Sequence, residues 1–302
     1  MQDPFRHEAL PYAGRAQFVA ACVEVVRDGL EQDERLILLA AGEKIDEVRH
    51  QLGGDADDVT FVAIDEHGRN PSRITTMLHS FQAAGDGRHS IGVNESVFTG
   101  RSPAAHLEAQ FSEVVLNDPS LRTWPLSVVC LYDTEQLDQP ALHAMQQSHA
   151  VIRGQPTNAS YVPDLAAAMH SAMLDPPPLT ATRLVVHPTG LTEMRAFVRS
   201  AAAEVRLPAD RAEDLVLAVN EIVTNSLRHG GGRAMLALWF EPGSIICEVA
   251  DSGQITDPLV GRLAPPPGAT SGRGLWLANH LCDLVQLRSS AAGTVVRMYL
   301  DR

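Results

Sequence analysis

Glu221 and Asn225 stand four residues apart in the segment Ala218-Val219-Asn220-Glu221-Ile222-Val223-Thr224-Asn225-Ser226-Leu227-Arg228-His229-Gly230. On a helix that spacing puts both on one face. An Asn amide oxygen suits Mg²⁺, a hard ion that prefers oxygen ligands. A carboxylate one turn away can orient a hydroxyl nucleophile or a water. An ordinary solvated helix face looks the same. His229 and Gly230 read as a normal helix end. Further along, Asp251-Ser252-Gly253 follows an apolar run. It is either a turn, or a carboxylate placed to accept from an adenine amino group, with Gly253 letting a flat base approach the backbone. In Ser271-Gly272-Arg273-Gly274-Leu275 glycines open a helix, whose free N–H groups can bind phosphate oxygens, with Arg273 adding charge. In Gly293-Thr294 a small hydroxyl on a late strand can close a base pocket.

The elements that must position these groups follow from periodicity. Strand Arg183–His187 precedes helices Leu191–Val205 and Ala209–His229. Strands Ala234–Phe240 and Ser244–Ala250, a Gly/Pro-rich loop, helix Gly274–Leu284 and strands Val285–Arg288 and Thr294–Leu300 complete an α+β sandwich. Leu215, Ala218, Ile222 and Val223 supply the core stripe of the second helix. Upstream, residues 174–182 (LDPPPLTAT) contain three consecutive prolines and read as a stiff linker. Before it, apolar strands Arg35–Ala41, Val59–Ile64, Pro125–Tyr132 and the short Ala150–Arg153 alternate with helices Gln17–Leu30, Glu43–Leu52, Pro71–Ala84, Ser102–Asn117 and Gln139–His149. Asn70 is expected to cap the third of these helices, with Pro71 in its first turn. Fully apolar strands between helices predict a mostly parallel α/β sheet covered on both faces.

Taken in order, the Glu-x₃-Asn helix, the Asp-x-Gly strand end, the Gly-x-Gly-Leu helix start and the late Gly-Thr resemble the boxes of the GHKL superfamily, which includes gyrase, Hsp90, histidine kinases and MutL. AVNEIVTNSLRHG and GRGLWLANHLCD are most similar to anti-sigma-factor serine kinases of the RsbW and SpoIIAB type. The resemblance spans residues 183–302 and implies a Bergerat-type ATP-binding sandwich. It implies Glu221 as catalytic base and Asn225 as the Mg²⁺ ligand. Arg228, Asp251, Gly253, Gly272, Arg273, Gly274, Leu275 and Thr294 would hold ATP, with residues 254–271 as a lid. One departure stands out. The family pattern is Asp-x-Gly-x-Gly, but Gln254 and Ile255 follow Gly253. In such kinases the acceptor is a Ser or Thr of a STAS-type antagonist, and the other partner is a sigma factor. A sensor histidine kinase, which needs a dimerising hairpin with an acceptor His, and an ATP-dependent binding switch without transfer are the rival readings. A homodimer is compatible with each.

Residues 1–173 are similar to the DcmR-type sensory (MEDS) domain, through Arg6-His7-Glu8-Ala9-Leu10-Pro11-Tyr12, Gly68-Arg69-Asn70-Pro71 and Leu131-Tyr132-Asp133-Thr134. That family resembles RecA-like α/β ATPases. No Gly-x₄-Gly-Lys-Ser/Thr loop is present, since Lys44 follows Gly42-Glu43, so no nucleotide hydrolysis is expected in this half. His7 and Tyr12 are candidates to line a site for an unknown small signal, with a structural His7 as the alternative. Where relatives often show a second His-Glu, this chain reads Gln110-Phe111-Ser112-Glu113. Nine histidines in residues 1–182 lack metal-ligand spacing, so no metal site is expected there. Residues 1–182 carry 12 basic and 25 acidic side chains and account for the whole net charge of −13. Such a half does not suit nucleic acid or an anionic membrane as partner. Cys22, Cys130, Cys247 and Cys282 lie singly in apolar stretches and read as buried reduced thiols. Without a signal-peptide layout or an apolar run near ~20 residues, the expected compartment is the cytoplasm.

Overall fold

Six strands lie side by side, all parallel, in the first of two units: β1 (Arg6–Tyr12), β2 (Arg35–Ala40), β3 (Val59–Ala63), β4 (Ser90–Asn94), β5 (Leu126–Asp133) and β6 (Val151–Ile152). Their order is β3-β2-β4-β5-β1-β6. The computed structural model describes residues 4–67, 69–265 and 272–302. The units are Met1–Ala166 and Ala167–Arg302. Helices α1 (Gly14–Glu31), α2 (Gly42–Leu52), α3 (Ile64–His67), α4 (Ser72–Ala83), α5 (Pro103–Val115) and α6 (Gln139–Ser148) connect the first six strands. Helices α1 and α2 cover one face, where Phe18, Cys22, Val26 and Val48 pack on Leu36 and Leu38. The other face carries Gly92 on β4, so close beneath α4 that a Cβ there would lie 2.4 Å from Leu78 Cδ2. Ser102 caps α5 and Asp138 caps α6, each accepting from a first-turn N–H. Asn70 Oδ1 accepts from Ser72 N at 3.1 Å, and α4 starts at Ser72, one residue later than expected.

Two of the six strands went unread in the sequence. β1 (RHEALPY) mixes charge with apolar residues and contains Pro11. Its neighbour β6 reaches only Glu8 and Ala9, so Pro11 lies beyond the ladder on that side, where a missing N–H is tolerated. β4 (SIGVN) is short and interrupted by Gly92.

The second unit begins within helix α7 (Leu165–Ser171). Strands β7 (Thr182–Val186), β8 (Ala234–Glu241), β9 (Ser244–Asp251), β10 (Leu284–Ser290) and β11 (Gly293–Asp301) form an antiparallel sheet in the order β10-β11-β9-β8-β7. Helices α8 (Leu191–Glu204), α9 (Ala209–His229) and α10 (Arg273–Leu281) pack on one face around Met194, Val198, Leu215, Val219, Ile222, Cys247 and Met298. On the other face Ala181, Ala237, Trp239 and Ile246 form a small cluster. Beside it Arg297 pairs with Glu248 at 2.8 Å and also donates to the Asp175 carbonyl. Arg183 donates to the carbonyls of Pro177 and Pro178, so the proline segment is tied down along this unit. One boundary moves. The last helix ends at Leu281, Cys282 is extended, and Leu284 opens β10 instead of closing the helix. All four cysteines are buried and unbridged. Among the described residues no helix is long and apolar enough to cross a membrane.

Candidate functional site

The apolar stripe of α9 faces the core through Leu215, Ala218, Val219, Ile222 and Val223, which leaves Glu221 and Asn225 half-buried on the flank that meets α10. The two helices approach closely because the first turn of α10 carries Gly274. A Cβ there would lie 2.7 Å from Asn225 Nδ2 and 3.3 Å from Glu221 Oε2. Gly272 precedes α10 with φ +85°, a left-handed conformation that glycine adopts without strain. Among the described residues no side chain caps α10, which leaves its leading N–H groups available to an anion.

The end of β9 forms the second wall. Asp251 Oδ1 accepts from Gly253 N at 2.7 Å, which is the turn reading of this segment, and the other carboxylate oxygen is not used by the turn. Ser252 donates through N and Oγ to the Gly230 carbonyl at 3.2 and 2.9 Å, pinning the turn to the C-terminus of α9. This contact requires bare backbone. A Cβ on Gly230 would fall 2.3 Å from Asp251 Cγ, and one on Gly253 would fall 2.6 Å from the His229 carbonyl oxygen. From β11, buried Thr294 donates to the Gly253 carbonyl at 2.9 Å and meets Ser289 Oγ at 2.8 Å. Ser289 Oγ in turn accepts from Ile255 N at 2.8 Å. Ile255 has no positive φ, so the position where the family pattern has its second glycine needs no glycine conformation in this chain.

These walls enclose a cavity of about 410 Å³, within the range that holds small-molecule ligands. It brings together Glu221, Asn225, Arg228, Asp251, Gly253, Gly272, Arg273, Gly274, Leu275 and Thr294, although they lie on four separate segments. Arg228 and Arg273 are exposed at its mouth and Thr294 is buried within. Ile222, Ser226, Gly230, Ile255, Val260 and Val296 also line it, none of them expected from sequence as a site residue. Gly230 had a signal, the Gly-Gly-Gly run after His229, but it reads equally as a helix stop. The apolar members carry no signal beyond core periodicity. The groups present fit a nucleotide with a divalent ion: an apolar slot with a carboxylate, an uncapped helix start with an Arg, and an Asn–Glu pair. Of the expected lid, residues 266–271 lie outside the described residues. Its first part is held by Asn279 Nδ2, which donates to the Gly261 carbonyl at 3.0 Å.

In the first unit His7 and Tyr12 are five apart on β1, so the pleat points them to opposite faces. They do not line one common site. Tyr12 donates to the buried Glu95 carboxylate, and Lys44 Nζ lies 2.6 Å from that carboxylate. Burial and then the Glu95 charge push the Tyr12 hydroxyl far above its ordinary range. His7 Nδ1 lies 3.0 Å from Asn117 Oδ1, and its Nε2 faces Glu113 and Cys130.

Comparison with known proteins assigns these architectures. Residues 184–300 match the family described as the histidine kinase-like ATPase domain. Residues 6–150 match MEDS, the methanogen/methylotroph, DcmR sensory domain. Among solved structures the chain is similar to the RsbU and RsbW domains of a Mycobacterium tuberculosis protein, with 20% identity and a TM-score of 0.30. That match covers 40% of this chain and 32% of the other, under a third of its length. No curated protein matches the chain. Domain by domain, residues 6–150 are therefore similar to the MEDS family and residues 184–300 to the histidine kinase-like ATPase family.

Proposed function

We propose that the α9–α10 cavity binds Mg-ATP, and that this domain phosphorylates a Ser or Thr of a protein partner, or sequesters that partner, under control of the N-terminal sensory domain. The observation that carries the reading is the convergence of Glu221, Asn225 and the glycine-opened α10 within the reach of a single methyl group. Asn225 would hold Mg²⁺ through its amide oxygen. The α10 N–H groups and Arg273 would hold phosphate oxygens. Asp251 and Thr294 would hold the base, against Ile255 and Val296. Glu221 would accept the proton of the acceptor hydroxyl as it attacks in line. The kinase form and the anti-sigma partners, a STAS-type antagonist and a sigma factor, rest on the likeness of AVNEIVTNSLRHG and GRGLWLANHLCD to that kinase type. The pinned Ile255, where the pattern has glycine, favours a second reading: an ATP-dependent binding switch without transfer.

One pair of variants separates the readings. Glu221→Gln should keep ATP affinity within a few-fold while slowing phosphate transfer to the antagonist by ~10²–10⁴. Asn225→Ala should remove the Mg²⁺ dependence of ATP binding in calorimetry. Equal transfer by wild type and Glu221→Gln excludes Glu221 from the mechanism. ATP-dependent partner binding with no acid-stable phosphate on any cognate antagonist selects the switch.

A further inference from the structure

The sheet of the first unit and the helices above it bring together four donors of three kinds that lie far apart in sequence. His7 on β1 and Cys130 on β5 face the same side, because Cys130 is registered opposite Ala9, two residues from His7. Glu113 comes down from α5, and His149 follows directly after α6. One ligand atom of each lies within 4.8 Å of all the others, and all four residues are buried.

The hydrogen bonds around the cluster settle which atoms carry protons. Asn117 Nδ2 donates to the Ser148 carbonyl at 2.7 Å, so its Oδ1 is an acceptor and His7 Nδ1, 3.0 Å away, must donate to it. His149 Nδ1 lies 3.0 Å from the Met145 carbonyl, which can only accept, and 2.9 Å from Ser148 Oγ, which itself donates to that carbonyl. Both imidazoles, when neutral, therefore turn an Nε2 lone pair inward. Among the described residues His149 Nε2 is buried with no hydrogen-bond partner, 3.6 Å from Glu113 Oε2. Glu113 is oriented as well. Its Oε1 accepts from Asn94 Nδ2 at 3.0 Å and from the Ser96 hydroxyl, and its Oε2 faces the two imidazoles. Two lone pairs, a carboxylate oxygen and a sulfur thus converge on one point inside the protein.

We propose that His7, Glu113, Cys130 and His149 form a binding site for one divalent transition-metal ion of the zinc type. The geometry fits. Ligand bonds of ~2.0–2.3 Å at tetrahedral angles give ligand–ligand edges of about 3.3–3.8 Å. Three of the six edges are 3.3 Å for Cys130 Sγ to His7 Nε2, 3.4 Å for His7 Nε2 to Glu113 Oε2, and 3.6 Å for His149 Nε2 to Glu113 Oε2, and the other three lie within 4.8 Å. The charges fit too: a thiolate and a carboxylate balance a dication, which a buried site requires. Each imidazole gives its remaining N–H to a carbonyl oxygen, the usual outer support of a metal-bound histidine. Binding displaces the thiol proton to solvent and breaks no other covalent bond. The inference stands apart from the nucleotide reading of the second unit. The mixed N, O and S donor set suits Zn²⁺ or Co²⁺.

The test uses the full chain, freed of metal by a chelator under mildly denaturing conditions and returned to buffer. Titration with Co²⁺ should saturate at one equivalent per chain, with the intense visible bands of a tetrahedral site and a thiolate-to-cobalt charge-transfer band, and Zn²⁺ should abolish both. Cys130→Ser should lose the charge-transfer band, and His149→Gln should weaken binding by at least ~10-fold. If the variants do not fold, the wild-type titration decides alone. A wild-type chain with native circular dichroism that retains no metal through gel filtration and shows no cobalt bands overturns the proposal. An unchanged charge-transfer band in a folded Cys130→Ser chain overturns it equally.

Discussion

Gly274→Ala tests the close approach of α9 and α10 more sharply than any change to the polar groups themselves. Gly274 has no positive φ, so its backbone accepts alanine without strain. In an exposed helix the change would stabilise by about 1 kcal/mol through propensity. Here the new Cβ would sit 2.7 Å from Asn225 Nδ2, about 0.7 Å short of ordinary van der Waals contact, and 3.3 Å from Glu221 Cβ and Oε2. Overpacking of this kind costs about 1–3 kcal/mol, so the net loss of stability should be ~0–2 kcal/mol, small beside a typical domain's total. The loss at the site should be larger. The added methyl pushes the Asn225 amide away from the α10 start, and a shift of this order in a positioned group costs ~10²-fold. Titration calorimetry with Mg-ATP is the assay, alongside a thermal melt. The expected result is a melting temperature within a few degrees of wild type, with Mg-ATP affinity reduced by ~10–100-fold. A folded Gly274→Ala chain that binds Mg-ATP as wild type does would refute the assignment of the α9–α10 junction as the metal and phosphate site.

Two further outcomes are expected. Thr294→Val keeps shape but removes the bonds to the Gly253 carbonyl and Ser289 Oγ; it should cost about 1–3 kcal/mol in denaturant melts and weaken ATP binding in the same calorimetry, whereas unchanged values in both would take Thr294 out of the site. Arg297→Ala leaves Glu248 without its partner and frees the Asp175 carbonyl; a loss of about 3 kcal/mol is expected, with faster proteolysis near residues 175–178, and a chain as stable as wild type would show that this pair contributes nothing.

Helix α9 was legible from sequence over its whole length, Ala209–His229, because Leu215, Ala218, Val219, Ile222 and Val223 recur at helical spacing and a Gly run stops it. The buried strands β2 and β5 were legible because continuous apolar residues leave no other way to be covered. The polar members of the cavity could be named one by one, since carboxylate, amide, hydroxyl and glycine chemistry announces itself in short motifs. Their meeting could not. It depends on the antiparallel register that sets Thr294 opposite Asp251, and on Gly230 and Gly274 being bare where two segments touch. Strands β1 and β4 stayed hidden because neither is apolar enough or long enough to signal alone; each is defined by the neighbours that pair with it. The cluster of His7, Glu113, Cys130 and His149 shows the limit most plainly. Motif spacing detects ligands that share one local segment, whereas here the sheet order brings β1 beside β5 and two helices bring down the rest. Local chemistry and periodicity are written along the chain; long-range convergence exists only once the strands have chosen their partners.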